Sequence, residues 1–328
     1  MVLCIIGGSP IVNAVIADSF DDKSRARAAG LFYAIVNGVA SFIGPAIALF
    51  TKYEQGWRYA MWTIGAICIA AALIVAFGFK DPGVGAAEAE LSGLNQDQRA
   101  RKVTVSAVIA LFKIPTYTIM MLSRLLSGHL LIGIFGVVFL VNDRGFDNAT
   151  AAIVLMPFGI GYVVGSLGGS FIVTWLDKVF TKEGRPVFLV FAQVAFAVSA
   201  FFATQVYEGQ TIAIYGMFWA LMGMSQAFNV PVNRPMVTAV ILPELRGQGF
   251  AIWLSIFETI GWAIFSLVGG ALASAWGIQT VFFWILVVMM LVNAALLSLT
   301  FWTYPRDAKK VTDELARRRA EALNAKTV

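Results

Sequence analysis

The sequence contains few of the residues on which metal sites, disulfides and hydrolytic active sites depend. It has one histidine and two cysteines, and only 13% of its 328 residues are charged. Cys4 and Cys68 both lie inside apolar segments, which predicts neither a disulfide framework nor a metal site. The sequence also lacks a phosphate-binding loop and a serine, histidine and aspartate pattern. We therefore expect no enzymatic activity and no bound cofactor.

Apolar residues are correspondingly abundant. They make up 59% of the chain, and the mean hydropathy is +0.78. A chain of this composition has more apolar surface than a water-soluble core can bury. A helix that crosses a bilayer needs about 20 mostly apolar residues. Nine segments meet this requirement: 1–17, 28–50, 59–79, 117–141, 150–176, 187–206, 211–240, 248–275 and 279–302. The sequence therefore predicts an all-α, polytopic membrane protein with nine transmembrane helices.

The basic residues predict the orientation of these helices. Most lysines and arginines lie in every second connection and in the C-terminal tail, whereas Lys52, Arg58 and Arg144 lie in the other connections. Because positively charged loops stay on the cytoplasmic side, we expect a cytoplasmic C-terminus and an external N-terminus for this chain, in the plasma membrane. Contact with anionic lipid is a second explanation of the net charge of +5. Binding of nucleic acid is not expected.

One sequence pattern occurs twice. Arg27 and Gly30 form an Arg-x-x-Gly step at the start of the second segment, and Arg246 and Gly249 form the same step at the start of the eighth. The span before each step carries a proline followed within three positions by an asparagine. The two copies are six spans apart, which is the period of a transporter built from two six-helix halves.

The segment between the third and fourth spans extends the similarity to a known family. Segment 80–113 begins with Asp81, Pro82 and Gly83, continues as a polar run and includes the basic pair Arg101 and Lys102. Three spans precede it and six follow it. In this the chain resembles the major facilitator superfamily, whose two six-helix halves are joined by a long cytoplasmic loop. The resemblance implies that the nine spans match helices four to twelve of that 6+6 fold and that the chain is truncated before its first three helices.

The same resemblance divides the chain into four parts. Residues 1–79 are the remainder of the N-terminal half with three spans, 80–113 the cytoplasmic central loop, 114–303 the C-terminal six-helix half, and 304–328 a basic cytoplasmic tail. In the tail, charged pairs four residues apart, Asp313 with Arg317 and Glu314 with Arg318, predict a solvated helix.

Ionisable residues inside predicted spans are the first candidates for function, because a charge at mid-bilayer is costly unless it faces a partner or water. Arg124 is predicted to face a central cavity and bind an anionic group, or else to form a structural ion pair. Glu258 is predicted to carry a proton, or to be a fixed partner of Arg124. His129, the single histidine, either relays protons or forms a hydrogen bond between helices.

A second group of candidates is formed by amides. Gln226, Asn229 and Asn233 stand at positions i, i+3 and i+7 of the seventh span, beside two prolines, which predicts the wall of a substrate cavity. Asn13 and Asn37 are the corresponding substrate-binding candidates from the N-terminal half. The alternative for all five is that they hold helices together by hydrogen bonds.

Four residues are candidates for gating. Arg27 and Arg246 lie at the predicted cytoplasmic ends of their helices, where they would pair with acidic residues such as Asp18 or Glu244 and hold that face closed. Arg234 would either gate the cytoplasmic mouth or extend its side chain to the membrane surface.

The function that we expect from these features is secondary active transport of a small solute by alternating access. The two arginines within spans favour an organic anion, and the lone carboxylate favours coupling to protons. The expected partners are the lipid bilayer, this substrate and H⁺, and the full-length protein is expected to be a monomer. The alternative is a non-transporting scaffold or sensor, a transporter remnant that needs a partner.

Overall fold

The computed structural model describes residues 2–48, 50, 53–99, 101–180 and 184–324, and no β-strand occurs among them. Met1, Lys52 and the last four residues of the predicted tail lie outside this part. The α-helices are α1 (Val2–Ser19), α2 (Asp22–Ala48), α3 (Gly56–Gly78), α4 (Gln96–Arg99), α5 (Val105–Ala110), α6 (Pro115–Leu125), α7 (Leu130–Asn142), α8 (Asn148–Val179), α9 (Gly184–Phe201), α10 (Ile212–Ala227), α11 (Val230–Val240), α12 (Arg246–Phe250), α13 (Glu258–Trp276), α14 (Ile278–Phe282), α15 (Met289–Ser298) and α16 (Thr300–Asn324).

Six helical stretches are long and apolar enough to cross a membrane. They are Gly56–Gly78, Pro115–Asn142, Thr150–Val179, Gly184–Val206, Pro243–Trp276 and Ile278–Ser298. The other three predicted spans are helical as well, as α1, α2 and the pair α10 and α11. The pair is interrupted at Phe228 and Asn229, just before Pro231, which has no N–H to continue the hydrogen-bond ladder. An all-helical protein with several candidate spans is confirmed, and the count of nine stays a prediction.

Helices α8 and α10 approach each other closely because glycines line their contact. A Cβ added at Gly161 would lie 2.0 Å from the Ala220 carbonyl oxygen, and one added at Gly223 would lie 2.0 Å from the Phe158 carbonyl oxygen. Small residues of this kind let backbones meet in a membrane, where dispersion contacts replace the hydrophobic effect as the source of helix association.

The helices that precede segment 80–113 pack against those that follow it. α2 contacts α8 and α11, and α1 contacts α12 and the turn Ala251–Phe257. In contrast, α3 buries only Gly56 and Ala60 in its first turn, and its apolar side chains face outward. The two groups of helices therefore meet through α1 and α2.

We use the term basic end for the end of the bundle that carries the α1–α2, α8–α9 and α11–α12 connections, segment 80–113 and α16. There α16 is not the fully solvated helix that its charge pattern predicts. Asp307 is 3% exposed, Leu315 2% and Arg318 6%. Leu315 packs against Leu91 and Leu94 of segment 80–113. The prediction of a solvated helix was wrong, because every third or fourth residue of α16 faces the protein. On that face, Leu91 and Leu94 pack against Leu315.

Gly161→Ala should destabilise the protein, because its new methyl group would collide with a backbone carbonyl that cannot move alone. Overpacking of this kind costs about 1–3 kcal/mol. The measurement is thermal unfolding of the detergent-purified protein. Gly168→Ala on the same helix is the matched control, because nothing lies within 4 Å of its new Cβ. Equal melting temperatures for the two variants would contradict the close packing of α8 on α10.

Candidate functional site

A polar cavity of about 520 Å³ lies inside the bundle. Its walls come from α1, α2, α6 to α11, α13, α15 and residues that connect these helices. The polar residues that line it are Ser9, Tyr33, Asn37, Ser123, Arg124, Ser127, His129, Tyr162, Gln193, Gln226, Asn229, Asn233, Arg234 and Glu258. A cavity of this size falls in the range of small-molecule sites.

Arg124 and Glu258 form an ion pair across the cavity between α6 and α13. The distance from Arg124 Nη2 to Glu258 Oε2 is 2.6 Å, and the side chains are 15% and 30% exposed. The guanidinium carbon of Arg124 also lies 5.6 Å from the centre of the Trp253 ring. For each of these residues the sequence left open a structural ion pair as the alternative to a functional role. That ion pair is present, and both residues also line the cavity. Their predicted roles in substrate binding and proton coupling stay predictions.

Arg234 has a different environment. Its side chain is buried, its guanidinium carbon lies 4.0 Å from the centre of the Tyr33 ring, and Nη1 donates a hydrogen bond of 2.8 Å to Asn233 Oδ1. Its Nε is buried without a partner, and no carboxylate of the described residues lies within ion-pairing distance. Arg234 therefore places a positive charge on the cavity wall without a carboxylate in direct contact among the described residues, although Glu258 acts on it from a longer distance.

Gln226, Asn229 and Asn233 all line the cavity, in the place that their spacing predicts. Gln193 Nε2 donates to Asn229 Oδ1 at 2.6 Å, and Asn293 Nδ2 donates to Gln193 Oε1 at 3.1 Å. The Oε1 of Gln226 is buried and accepts no hydrogen bond from a described residue. The amides thus serve helix packing and line the cavity together, and their role as substrate ligands stays a prediction.

The three remaining binding and coupling candidates differ in position. His129 lines the cavity and packs edge-on against Phe196, with no side-chain hydrogen bond to a residue that the structure describes. Asn37 lines the cavity, and its Nδ2 donates to the Tyr33 carbonyl at 2.9 Å. Asn13 lies behind Tyr33, donating to its Oη at 2.8 Å, and does not line the cavity. In this arrangement Asn13 orients Tyr33, and its role as a substrate ligand stays a prediction.

At the basic end, Arg246 connects three parts of the chain. Its Nη2 lies 2.6 Å from Glu88 Oε1, and its Nη1 lies 3.6 Å from Asp18 Oδ1. Arg25 binds the same Glu88 oxygen at 3.0 Å. Burial alone would raise the pKa of Glu88, but Arg246 and Arg25 outweigh it and lower the pKa. Burial raises the pKa of Asp18, although the Gly85 N–H and Arg246 partly offset it.

A second ion-pair cluster at this end surrounds Arg185, which is 1% exposed. Its guanidinium binds Asp177, 2.8 Å away, and Asp22 of α2, 3.0 Å away. Its Nη1 also donates to Tyr304 Oη at 3.1 Å. Because Asp22 precedes segment 80–113 and Arg185 follows it, this cluster also joins the two groups of helices.

The other gating candidates are placed differently from the sequence prediction. Arg27 makes no ion pair in the described part of the chain; its Nε donates to Thr174 Oγ1 at 3.4 Å. Glu244 pairs with Arg318 at 2.9 Å. Arg234 is buried on the cavity wall, so its side chain does not extend to the surface, and its gating role stays a prediction. The ring of Tyr33 accounts for its position inside the bundle, because a cation–π contact stabilises a guanidinium away from water.

The chain was compared with known proteins once this geometry was established. Two overlapping stretches, residues 2–218 and 162–325, match the model of the Major Facilitator Superfamily. The chain belongs to the major facilitator superfamily. It is therefore a multi-pass membrane protein of a transporter family, whose members are typically transporters rather than enzymes. No curated protein matches its sequence significantly.

Several residues of this transporter's cavity and ion-pair clusters were missed by the sequence reasoning. Gln193 is an amide inside a predicted span, so the argument that identified Gln226 applied to it equally. Tyr33 and Tyr162 carried no such signal, because tyrosines are ordinary in membrane helices. Glu88 lies in a polar loop, and its place beside Arg246 follows only from the folding of segment 80–113 onto the bundle.

In this transporter, removal of one partner of the Arg124–Glu258 pair should cost more than removal of both. Glu258→Gln leaves an unpaired guanidinium, at a cost of about 1–2 kcal/mol because the pair is only partly buried. The double variant with Arg124→Gln should regain part of that loss. The measurement is thermal unfolding in detergent at pH 7, with the exposed Glu208→Gln as the control. Additive losses in the double variant would exclude a coupled pair.

The ionised Glu88 carboxylate should stabilise the folded protein in a pH-dependent way. Its pKa in the folded protein lies below its ordinary value of 4.5. The stabilisation is therefore complete above that value and is lost as the pH falls through the lowered pKa. Wild-type protein should melt at a higher temperature than Glu88→Gln at pH 7, and the difference should shrink below pH 4.5. Glu90→Gln is the nearby control. A difference that stays constant with pH would show that the charge is not responsible.

Proposed function

We propose that this transporter moves a small organic anion across the plasma membrane by alternating access, driven by a proton gradient. The observation that carries the proposal is the position of Arg234. It is a buried cation on the wall of a polar cavity of about 520 Å³, without a carboxylate partner among the described residues.

The charge balance of the cavity favours an anionic solute. Of the charged side chains that line it in the described part, Arg124 and Arg234 are cations and Glu258 is an anion. Burying an unpaired charge is costly, and a carboxylate or phosphate that accepts hydrogen bonds from a guanidinium removes that cost. A bound anion at Arg234 would therefore neutralise the cavity. Gln226, with its free Oε1, and the neighbouring amides are the proposed contacts for other polar groups of the solute.

Glu258 is the proposed proton carrier. Protonation would remove its charge, release Arg124 from the ion pair of 2.6 Å and leave a second guanidinium free to bind the anion. Proton uptake and anion binding are coupled in this scheme because both change the charge of the same cavity. His129, which also lines the cavity, is the proposed alternative carrier.

The ion pairs at the basic end are the proposed latch for alternating access. Arg246–Asp18 and Arg185–Asp22 join helices on either side of segment 80–113, so this end opens only when both pairs break. The contact between Arg234 and Tyr33 also joins α11 to α2. An anion that binds Arg234 would therefore act on the same interface between the two groups of helices.

The proposed topology completes this scheme. All nine predicted segments cross the membrane, the three before segment 80–113 belong to the first half, and the six after it form the second half. They correspond to helices four to twelve of the family's fold. The basic end and the C-terminus are cytoplasmic, as the lysines and arginines predict, and the transporter acts as a monomer. Because the family match favours transport, the scaffold alternative is not proposed.

The test is transport by the full chain reconstituted in proteoliposomes. A panel of radiolabelled mono- and dicarboxylates, sugars and amines identifies a substrate by counterflow. We expect a carboxylate to be transported and Arg234→Gln to reduce its counterflow by at least about tenfold, since a charge-assisted hydrogen bond contributes about 1.5–3 kcal/mol. Arg58→Gln, at an exposed arginine away from the cavity, should leave it unchanged.

The coupling is tested separately. Glu258→Gln should remove the stimulation of uptake by a pH gradient and leave some carboxylate exchange in its absence. Transport of a neutral or cationic solute that is insensitive to Arg234→Gln would refute the anion assignment. Absence of flux for the whole panel, together with a protein that co-purifies at fixed ratio, would support the scaffold instead.

A further inference from the structure

A separate slot of about 340 Å³ lies at the basic end, away from the central cavity. It is enclosed by three segments: the α5–α6 junction, the α11–α12 junction and one face of α16. We call it the interfacial slot. Its lining residues are Ala107, Ala110, Leu111, Lys113, Ile114, Val240, Leu242, Leu245, Asp307, Lys310, Val311 and Glu314. Eight of these twelve are apolar, so the slot suits a hydrocarbon group.

The slot borders the start of a candidate span. One wall ends at Ile114, directly before the candidate span that begins at Pro115. The opposite wall, α16, is joined to the first turn of that span, because the Thr116 backbone N–H donates to Asp307 Oδ2 at 3.0 Å. Beside the slot, the α5 segment exposes Val105 (77%) and Ile109 (58%). Exposed apolar side chains next to basic residues are typical of segments that lie in the headgroup region.

The carboxylates in the slot are already satisfied. Asp307 Oδ2 accepts hydrogen bonds from the Thr116 N–H and, at 2.9 Å, from Thr116 Oγ1. Glu314 binds Arg317 and Arg318, whose hydrogen bonds outweigh the opposing effect of burial and lower its pKa. Both carboxylates of the slot therefore have hydrogen-bond or ion-pair partners within the protein.

The two lysines of the slot differ in their pairing. Lys113 makes no hydrogen bond or ion pair with the residues that the structure describes, and its side chain is exposed. Lys310 is 60% exposed and makes one ion pair of 3.3 Å, to Asp307. The slot thus combines an apolar lining with one ammonium group unpaired among the described residues, that of Lys113, and a second, that of Lys310, which is exposed and paired with Asp307.

We propose that the interfacial slot binds one anionic glycerophospholipid, with an acyl chain among its apolar residues and the phosphate at Lys113 and Lys310. A free phosphate has no apolar surface to bury against the apolar lining, whereas a lipid has both a hydrocarbon chain and a charged headgroup. The lysines would select anionic over zwitterionic headgroups, because each adds about 1 kcal/mol of attraction to an anionic surface.

The experiment is a lipid titration of the full chain, purified and delipidated in detergent and followed by native mass spectrometry. Phosphatidylglycerol should bind at one site more tightly than phosphatidylcholine of the same chain length. Lys113→Gln should weaken this binding about fivefold, the effect of about 1 kcal/mol per lysine. Lys309→Gln is the matched control, because Lys309 is an exposed neighbour of Lys310 that does not line the slot.

A second variant tests the apolar part independently of charge. Ala110→Leu places a larger side chain in the slot without changing any charge and should abolish the tight phosphatidylglycerol site. The proposal is overturned if Lys113→Gln and Lys309→Gln weaken binding equally, since attraction to the whole basic surface would then suffice. It is also overturned if phosphatidylcholine binds as tightly, if Ala110→Leu has no effect, or if glycerol phosphate displaces the lipid at equal concentration.

Discussion

An ionised side chain inside a membrane protein must have a counter-charge, hydrogen bonds or water, and this requirement organises the whole bundle. Arg124 satisfies it with Glu258 across the cavity. Arg185 and Arg246 satisfy it with carboxylates at the basic end, where those pairs also tie the two groups of helices together. Arg234 satisfies it only in part, with an aromatic ring and one amide. Of these four arginines, Arg234 is the one without a carboxylate partner among the described residues, and it lies on the wall of the cavity, which is why the proposed function depends on it.

The helices of the bundle are held together by two physically different kinds of contact. α8 and α10 pack closely where glycines bring the backbone of one helix against the backbone of the other. The cavity residues Tyr162 and Gln226 lie on these two helices, so the close packing holds their backbones in position. By contrast, the contacts of α1 and α2 with later helices include ion pairs and one cation–π contact, which can break and reform. Alternating access needs both kinds of contact in one molecule.

A continuous set of contacts joins the cavity to the basic end along α11. Thr238 Oγ1 donates to the Arg234 carbonyl at 2.9 Å, and Arg246 Nη2 donates to the Thr238 carbonyl at 3.3 Å. Arg246 then binds Glu88 and Asp18. A displacement of α11 caused by an anion at Arg234 would therefore reach the proposed latch through two hydrogen bonds. The interfacial slot borders the same helix through Val240, so a bound lipid would touch the other side of this connection.

The sequence by itself determined the helical membrane fold, the family and part of the polar cavity wall, because these follow from local properties. Hydrophobic runs predict spans whatever their neighbours, and a spacing of three to four residues places Gln226, Asn229 and Asn233 on one helix face. The sequence offered Arg124 with Glu258 and Arg246 with Asp18 as possible pairs, and only the tertiary structure decided that they form and which other long-range contacts join them. The pairing of Glu88 with Arg246, the burial of α16 and the stacking of Arg234 on Tyr33 join residues more than 60 positions apart. No periodicity within one helix can specify such contacts, since they depend on how the helices pack against one another.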